Sequence, residues 1–234
     1  MKKTLLLSLV IVLLAGTSSY AGRSSDERET RDLSGFSKIS FGISGNLYIN
    51  IGSEYKVVLE GDRSDLGEVI TEVRGGRLVI KRDNWRLRIN DKVTVYVTLP
   101  ELTAVGVSGS GTAEIRDALK GGDLDLSVSG SGKILTGDLN IDRLDCGISG
   151  SGNIELGGGG SVSEADISIS GSGNFTGEVV KIDDADISIS GSGNCSCNVT
   201  STLKAGVSGS GHVTYSGNPR VDARVSGSGR VRSK

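Results

Sequence analysis

Four aspartates recur every 20 or 21 residues in the second half of the chain, and their carboxylates are its strongest candidates for chemistry. They are Asp125, Asp145, Asp166 and Asp186, and three further acids stand two residues earlier in these repeats: Asp123, Glu164 and Asp184. Stacked carboxylates repel one another, and a hard cation such as Ca²⁺ would relieve that repulsion. The spacing therefore predicts a calcium site at Asp125, Asp145, Asp166 and Asp186. We call the seven acids the acidic stripe.

The acidic stripe has two other interpretations. A solvated acidic face would keep a β-rich rod soluble and discourage lateral association. Carboxylates about 5 Å apart could also cleave glycosidic bonds. Aromatic residues are only 4% of the chain, so we expect no cluster of exposed aromatic side chains of the kind that would favour a carbohydrate-active enzyme.

A second candidate is the segment VIKRDNWRLRINDK, residues 79–92, which holds the only tryptophan. Aromatic and arginine side chains together are typical of interface hot spots. The segment therefore predicts a partner-binding site at Trp85, Arg86 and Arg88. The alternative is a capping hairpin whose tryptophan covers the end of the core.

Residues capable of nucleophilic or metal chemistry are few. The chain has one histidine, His212, which falls in a polar, outward position of the repeat described below. Its three cysteines are Cys146, Cys195 and Cys197. Cys146 and Cys195 occupy apolar positions and are expected to pack as small core residues. We expect no catalytic residues and no cofactor other than the possible calcium ion.

The acids are positioned by an internal repeat. The tetrapeptide SGSG begins at Ser108, Ser129, Ser149, Ser170, Ser190, Ser208 and Ser226. Apolar residues stand one, three and five positions before each first serine and five after it, a spacing of two that is typical of strands. Periods near 20 residues indicate a solenoid. The repeat therefore predicts an all-β fold, a single-stranded right-handed β-helix in which Ser-Gly corners join short strands. A further apolar pair, such as Leu139 with Ile141, indicates a third side in some coils.

The alternation of inward and outward residues extends into the corners. If it holds throughout, both glycines of each SGSG face inward and both serines face outward. Glycine permits a tight turn because it has no side chain and tolerates positive φ. Seven such segments in register with apolar columns are not flexible linkers.

Residues 34–104 lack the SGSG segment but keep strand-like alternation. Ser44-Gly45-Asn46 resembles a degenerate corner, and its distance from Ser108 is close to three repeat lengths. We interpret 34–104 as irregular first coils with hairpins that cap the regular repeats of 105–234. Residues 22–33 are polar and predicted to be disordered.

The N-terminus is typical of an export signal, with Lys2 and Lys3, a short apolar run and small residues before a cleavage site after Ala21. We expect residues 1–21 to be removed and no transmembrane segment to remain. The formal net charge of −2 is too mild to indicate a nucleic-acid partner.

An exported chain with the segment GISGNLYINIGSEYKVVLEGDRSDLGEVITEVRGGRLVIKR followed by VSGSG and ISGSGNIEL units resembles a bacterial family, the "putative autotransporter adhesin head GIN domain". The resemblance covers about residues 34–231. It implies a right-handed β-helix in an exported or surface protein and carries no catalytic motif. We therefore expect a non-enzymatic scaffold or adhesin-like binding module, periplasmic or on the cell surface, whose partner is a surface polysaccharide or another protein. The alternative is a carbohydrate-active enzyme or a calcium-dependent polysaccharide-binding protein that uses the acidic stripe.

Overall fold

The computed structural model describes residues 27–82 and 93–234. The described chain is nearly all β, with 72% of its residues in strands and 2% in helix. One helical turn, α1 (Arg63–Leu66), interrupts the strands. The strands are β1 (Glu27–Arg31), β2 (Lys38–Phe41), β3 (Asn46–Ile51), β4 (Lys56–Gly61), β5 (Val69–Arg74), β6 (Arg77–Arg82), β7 (Thr94–Leu99), β8 (Ala104–Gly109), β9 (Thr112–Ile115), β10 (Leu119–Lys120), β11 (Asp123–Gly130), β12 (Lys133–Thr136), β13 (Leu139–Gly150), β14 (Asn153–Leu156), β15 (Gly160–Gly171), β16 (Asn174–Gly191), β17 (Asn194–Gly209), β18 (His212–Ser216), β19 (Arg220–Gly227) and β20 (Arg230–Ser233).

Successive coils stack in parallel and in the register that the repeat predicts, which confirms a β-solenoid, here of about six turns. The residues three before each corner form one apolar ladder, in which each member pairs with its counterpart on the next coil: Leu126, Cys146, Ile167, Ile187 and Ala205. The residue before each corner forms a second ladder, and both ladders are buried from Val105 and Val107 to Ala205 and Val207. Alternation therefore gives one continuous core, because every inward side chain packs on its counterparts in the coils on either side.

The predicted third side is also present. Leu139, Ile141, Val180 and Ile182 are all buried, and Ile141 pairs with Val162, which pairs with Ile182. Aliphatic side chains stacked at coil spacing fill the core, so a chain with few aromatic residues can still bury a continuous apolar interior.

The two glycines of each corner have different roles. The first has a positive φ, +125° at Gly191, and an added Cβ there would collide with the carbonyl oxygen of Gly171 one coil away. The second is buried, and at Gly193 an added Cβ would lie 2.6 Å from Cγ2 of Ile169. The prediction that both glycines face inward is correct for the second glycine and wrong for the first. The chain turns at the first glycine, which leaves it at or near the surface.

The region before the regular repeats has a different order from the one that the sequence predicts. The corner at Ser44 stacks directly on the corner at Ser110, and their hydroxyl oxygens lie 3.1 Å apart. β2 and β3 lie between β8 and β9 on one side and β6 and β7 on the other. The spacing of about three repeats therefore does not correspond to three coils. After its first coil, β2 and β3, the chain forms the strands β4 to β7 on one side of that coil. It then returns as β8 and β9 on the other side.

The N-terminal end of the solenoid is closed by antiparallel strands. β5 pairs with β6, β4 pairs with β7, and β1 covers the outer edge of β4. The prediction of disorder for residues 22–33 differs from the structure over Glu27–Arg31, which form β1. Their charged side chains suit an outer strand, and Arg28 pairs with Glu60 at 2.8 Å.

No described residues cover the C-terminal end in this way. Val221 and Val225 continue the inward columns, yet they are 39% and 44% exposed, because no described coil packs beyond β19. Within residues 27–82 and 93–234, no helix is long and apolar enough to cross a membrane.

Candidate functional site

The structure brings the predicted acids together on one face of the solenoid. Asp125, Asp145, Asp166 and Asp186 pair in register on four successive coils, and Lys204 takes the next place in this column. Glu164 pairs with Asp184 in the neighbouring column. The stacking on which the calcium prediction depends is therefore present.

A basic side chain that the sequence interpretation did not single out lies inside the acidic stripe. Arg143 contacts Asp145 at 3.3 Å, Glu164 at 2.9 Å and Asp166 at hydrogen-bond distance. The hydrogen bond to Asp145 and the neighbouring negative charges raise the pKa of Arg143 above its usual range. The repeat spacing could have predicted this contact, since Arg143 occupies the same position of the repeat as Asp123 and Glu164 in the neighbouring coils.

Lys204 likewise forms an ion pair with an acid of the acidic stripe, Asp186, on the preceding coil. Its Nζ lies 2.7 Å from Oδ2 of Asp186, and this hydrogen bond raises the pKa of the lysine. Two internal cations therefore relieve much of the repulsion for which calcium was invoked. Among residues 27–82 and 93–234, no group of three or more His, Cys, Asp or Glu side chains is arranged to hold a metal ion.

The three cysteines are free thiols buried in the core. Burial is the main cause that raises the pKa of Cys146, and nearby Asp125 and Asp145 add to it. A hydrogen bond with Cys197 and burial raise the pKa of Cys195. Cys146 and Cys195 therefore stay protonated and pack as the small core residues that the sequence predicts.

The other predicted site cannot be placed. Trp85, Arg86 and Arg88 lie outside the described residues, as does the predicted export signal at 1–21. His212 is placed as predicted, in an outward column between Asn194 and Arg230.

The structure also brings together two aromatic side chains that lie outside the SGSG repeat. Tyr48 on β3 pairs with Tyr96 on β7, and their half-buried rings stack with centroids 5.5 Å apart. The guanidinium carbon of Arg116 lies 3.7 Å from the centre of the Tyr48 ring, and that of Arg28 lies 5.9 Å from the centre of the Tyr96 ring. The four side chains form a stack in which a cation lies at each end of an aromatic pair.

A cleft of about 220 Å³ adjoins this stack. It is lined by Arg28, Lys56, Val58, Tyr96 and Thr98. The antiparallel register of β4 and β7 fixes this lining, since Lys56 lies opposite Thr98 and Val58 lies opposite Tyr96. The cleft thus combines an aromatic wall, an apolar contact, a hydroxyl and two cations, a composition that suits a small binding site.

Solved structures of other bacterial proteins share this fold. A "putative adhesin" of Bacteroides fragilis aligns with a TM-score of 0.85 at 23% sequence identity, covering 91% of this chain and 98% of that one. A "putative lipid binding protein" of Parabacteroides distasonis and a "putative adhesin" of Parabacteroides merdae each align with a TM-score of 0.73, at the same identity and coverage. These likenesses show the fold alone.

No curated protein matches the chain. A family model does match, and it spans residues 35–219, the cap and nearly all of the repeats. The resemblance inferred from the SGSG units is thereby confirmed. This chain belongs to the family described as "Putative auto-transporter adhesin, head GIN domain".

Proposed function

We propose that this chain is an exported, non-enzymatic scaffold that acts as an adhesin-like binding module in the periplasm or at the cell surface of a bacterium. The observation that carries the proposal is the family match over residues 35–219. A rigid stack of coils supports it, because ordered strands hold outward side chains in fixed positions and reduce the cost of ordering them on binding.

The enzymatic alternative has less support. A glycoside-cleaving pair needs one carboxylic acid that can give a proton and a second carboxylate that acts on the sugar. Arg143 contacts three carboxylates of the acidic stripe. These ion pairs engage the three carboxylates with a cation of the chain itself, an arrangement typical of a surface charge network.

Two measurements on the source bacterium test the proposal. Cell fractionation follows the whole chain and a variant that lacks residues 1–21; the whole chain should leave the cytoplasm and the variant should stay inside. Beads coated with the purified chain should then adhere to bacterial or host surfaces more than beads coated with an unrelated β-solenoid. A chain that stays in the cytoplasm, or beads that adhere no better than the control, would contradict the proposal.

The acidic stripe remains a proposed calcium site. Calorimetric titration of the chain with Ca²⁺ tests it, and the double variant Asp145→Asn/Asp166→Asn is the control. Binding in the micromolar to low millimolar range that the double change abolishes would support a site. The absence of heat, together with an unchanged Tm, would leave the stripe as a solvated face neutralised by Arg143 and Lys204.

A further inference from the structure

We propose that the cleft beside Tyr96 binds the uronic-acid units of an acidic polysaccharide. The proposal rests on the proposed function, a binding module, and assigns it a site and a ligand class. The ligand is defined by three properties that the cleft selects together: a negative charge, a ring with an apolar face, and hydroxyl groups.

The cations that line the cleft favour a negatively charged ligand. Lys56 is exposed and forms no ion pair with any described residue. Arg28 pairs with Glu60, which is the one acid that contacts it at short range. The cleft therefore keeps a net positive charge and can form a charge-assisted hydrogen bond with a carboxylate.

The aromatic and apolar side chains between these cations favour a ligand with an apolar ring face. Tyr96 presents a half-buried aromatic ring, and Val58 adds an apolar contact beside it. The Tyr96 ring has Tyr48 on one face and the Arg28 guanidinium 5.9 Å from its centre on the other, so a sugar would contact the surface that Tyr96 and Val58 leave open between them. The hydroxyl of Thr98 can exchange hydrogen bonds with a sugar hydroxyl. The volume of about 220 Å³ is suited to a single sugar ring rather than to a large ligand.

The wall is held before any ligand arrives. Tyr96 is supported from behind by Tyr48, which is in turn covered by Arg116. β7 is paired on both sides, with β3 and with β4. Little freedom remains to be lost on binding, so even a small contact area can give measurable affinity.

Calorimetry of the chain with trigalacturonate, matched against the neutral trisaccharide maltotriose and against acetate, tests the inference. We expect trigalacturonate to bind and the other two to bind at least about tenfold more weakly, because each lacks the carboxylate or the rings. Lys56→Gln should weaken trigalacturonate binding at least about tenfold, and Lys56→Arg should restore most of it.

The matched control is Lys38→Gln, which removes another exposed strand lysine, on β2, that does not line the cleft. Three results would overturn the inference: no trigalacturonate binding, equal binding of maltotriose or acetate, or equal weakening by Lys38→Gln. Failure here is distinct from failure of the proposed function, because the bead assay uses natural surfaces. Beads that adhere equally well with and without Lys56→Gln would place the ligand elsewhere on the scaffold.

Discussion

Replacing the first glycine of a single corner should destabilise the whole solenoid. Gly191 has φ +125°, and a Cβ added there would meet the carbonyl oxygen, carbonyl carbon and Cα of Gly171. All three are backbone atoms of the coil below, which Gly191 and its neighbours hold in register. Gly191→Ala therefore cannot be absorbed by turning a flexible side chain.

The magnitude follows from two costs. A side chain at positive φ costs about 1–2 kcal/mol, and forcing packed groups apart adds about 1–3 kcal/mol. The expected loss is about 2–5 kcal/mol of unfolding free energy. In a chain of this size each kcal/mol lowers Tm by about 2–4 °C, so we expect a fall of about 4–20 °C.

Thermal unfolding followed by circular dichroism at the strand band measures this fall. The control is Gly147→Ala, since an added Cβ there has no atom within 4 Å and Gly147 pairs with Ser127 and Ser168 in register. Its Tm should stay within about 2 °C of the parent, or rise slightly through the reduced entropy of the unfolded chain. Equal Tm values for the two variants would refute the close stacking of the corners.

Three further predictions concern the core, the outward columns and the acidic stripe. Cys146 and Cys195 should not react with a water-soluble thiol reagent at pH 8 until denaturant is added. Rapid reaction of the folded chain would contradict this. Burial raises the pKa of Cys146 in the folded state, and a hydrogen bond with Cys197 together with burial raises that of Cys195. The stability that the two thiols confer is therefore complete below the ordinary thiol pKa of about 8.5 and declines as pH rises above it. Asn174 donates a hydrogen bond to Asn153 and accepts one from Asn194, each 2.9 Å long, so Asn174→Ala should cost about 1–2 kcal/mol in urea unfolding, while the exposed Asn140→Ala should cost less than half of that. Arg143→Gln should lower Tm at low salt and lose this effect at high salt, as the screening of surface charges requires; Arg220→Gln, on an exposed strand, is its control, and a salt-independent effect would count against the ion contacts.

The regular part of the fold could be predicted from sequence because its information is local and repeated. Each coil has apolar residues two apart, and the stacking of seven copies converts that alternation into buried ladders such as Val128, Ile148, Ile169, Ile189 and Val207. The register of the acids followed from the same spacing. Arg143 could have been found in the same way, because it occupies the position of the repeat that Asp123 and Glu164 occupy in the neighbouring coils.

The Tyr48–Tyr96 stack could not be predicted in this way. The two residues lie on β3 and β7, outside the SGSG repeat, and the described residues between them form α1 and three strands. Their proximity depends on the pairing of β7 with β3 of the first coil, and no repeat spacing in the sequence predicts that pairing. Likewise, the partner of β1 is set by the free edge of β4, whereas the composition of β1 alone suggests disorder.

The stacked corners are tested most directly by a distance between two of them. Ser131 and Ser228 follow Gly130 and Gly227, which are joined in register through Gly150, Gly171, Gly191 and Gly209. Nitroxide labels on Ser131→Cys and Ser228→Cys in the chain, with its buried cysteines replaced by alanine, report this distance by pulsed electron resonance. Stacked coils at about 4.8 Å spacing predict a narrow distribution near about 24 Å. A broad distribution centred near about 50–60 Å, which flexible Ser-Gly linkers would give, would contradict the account.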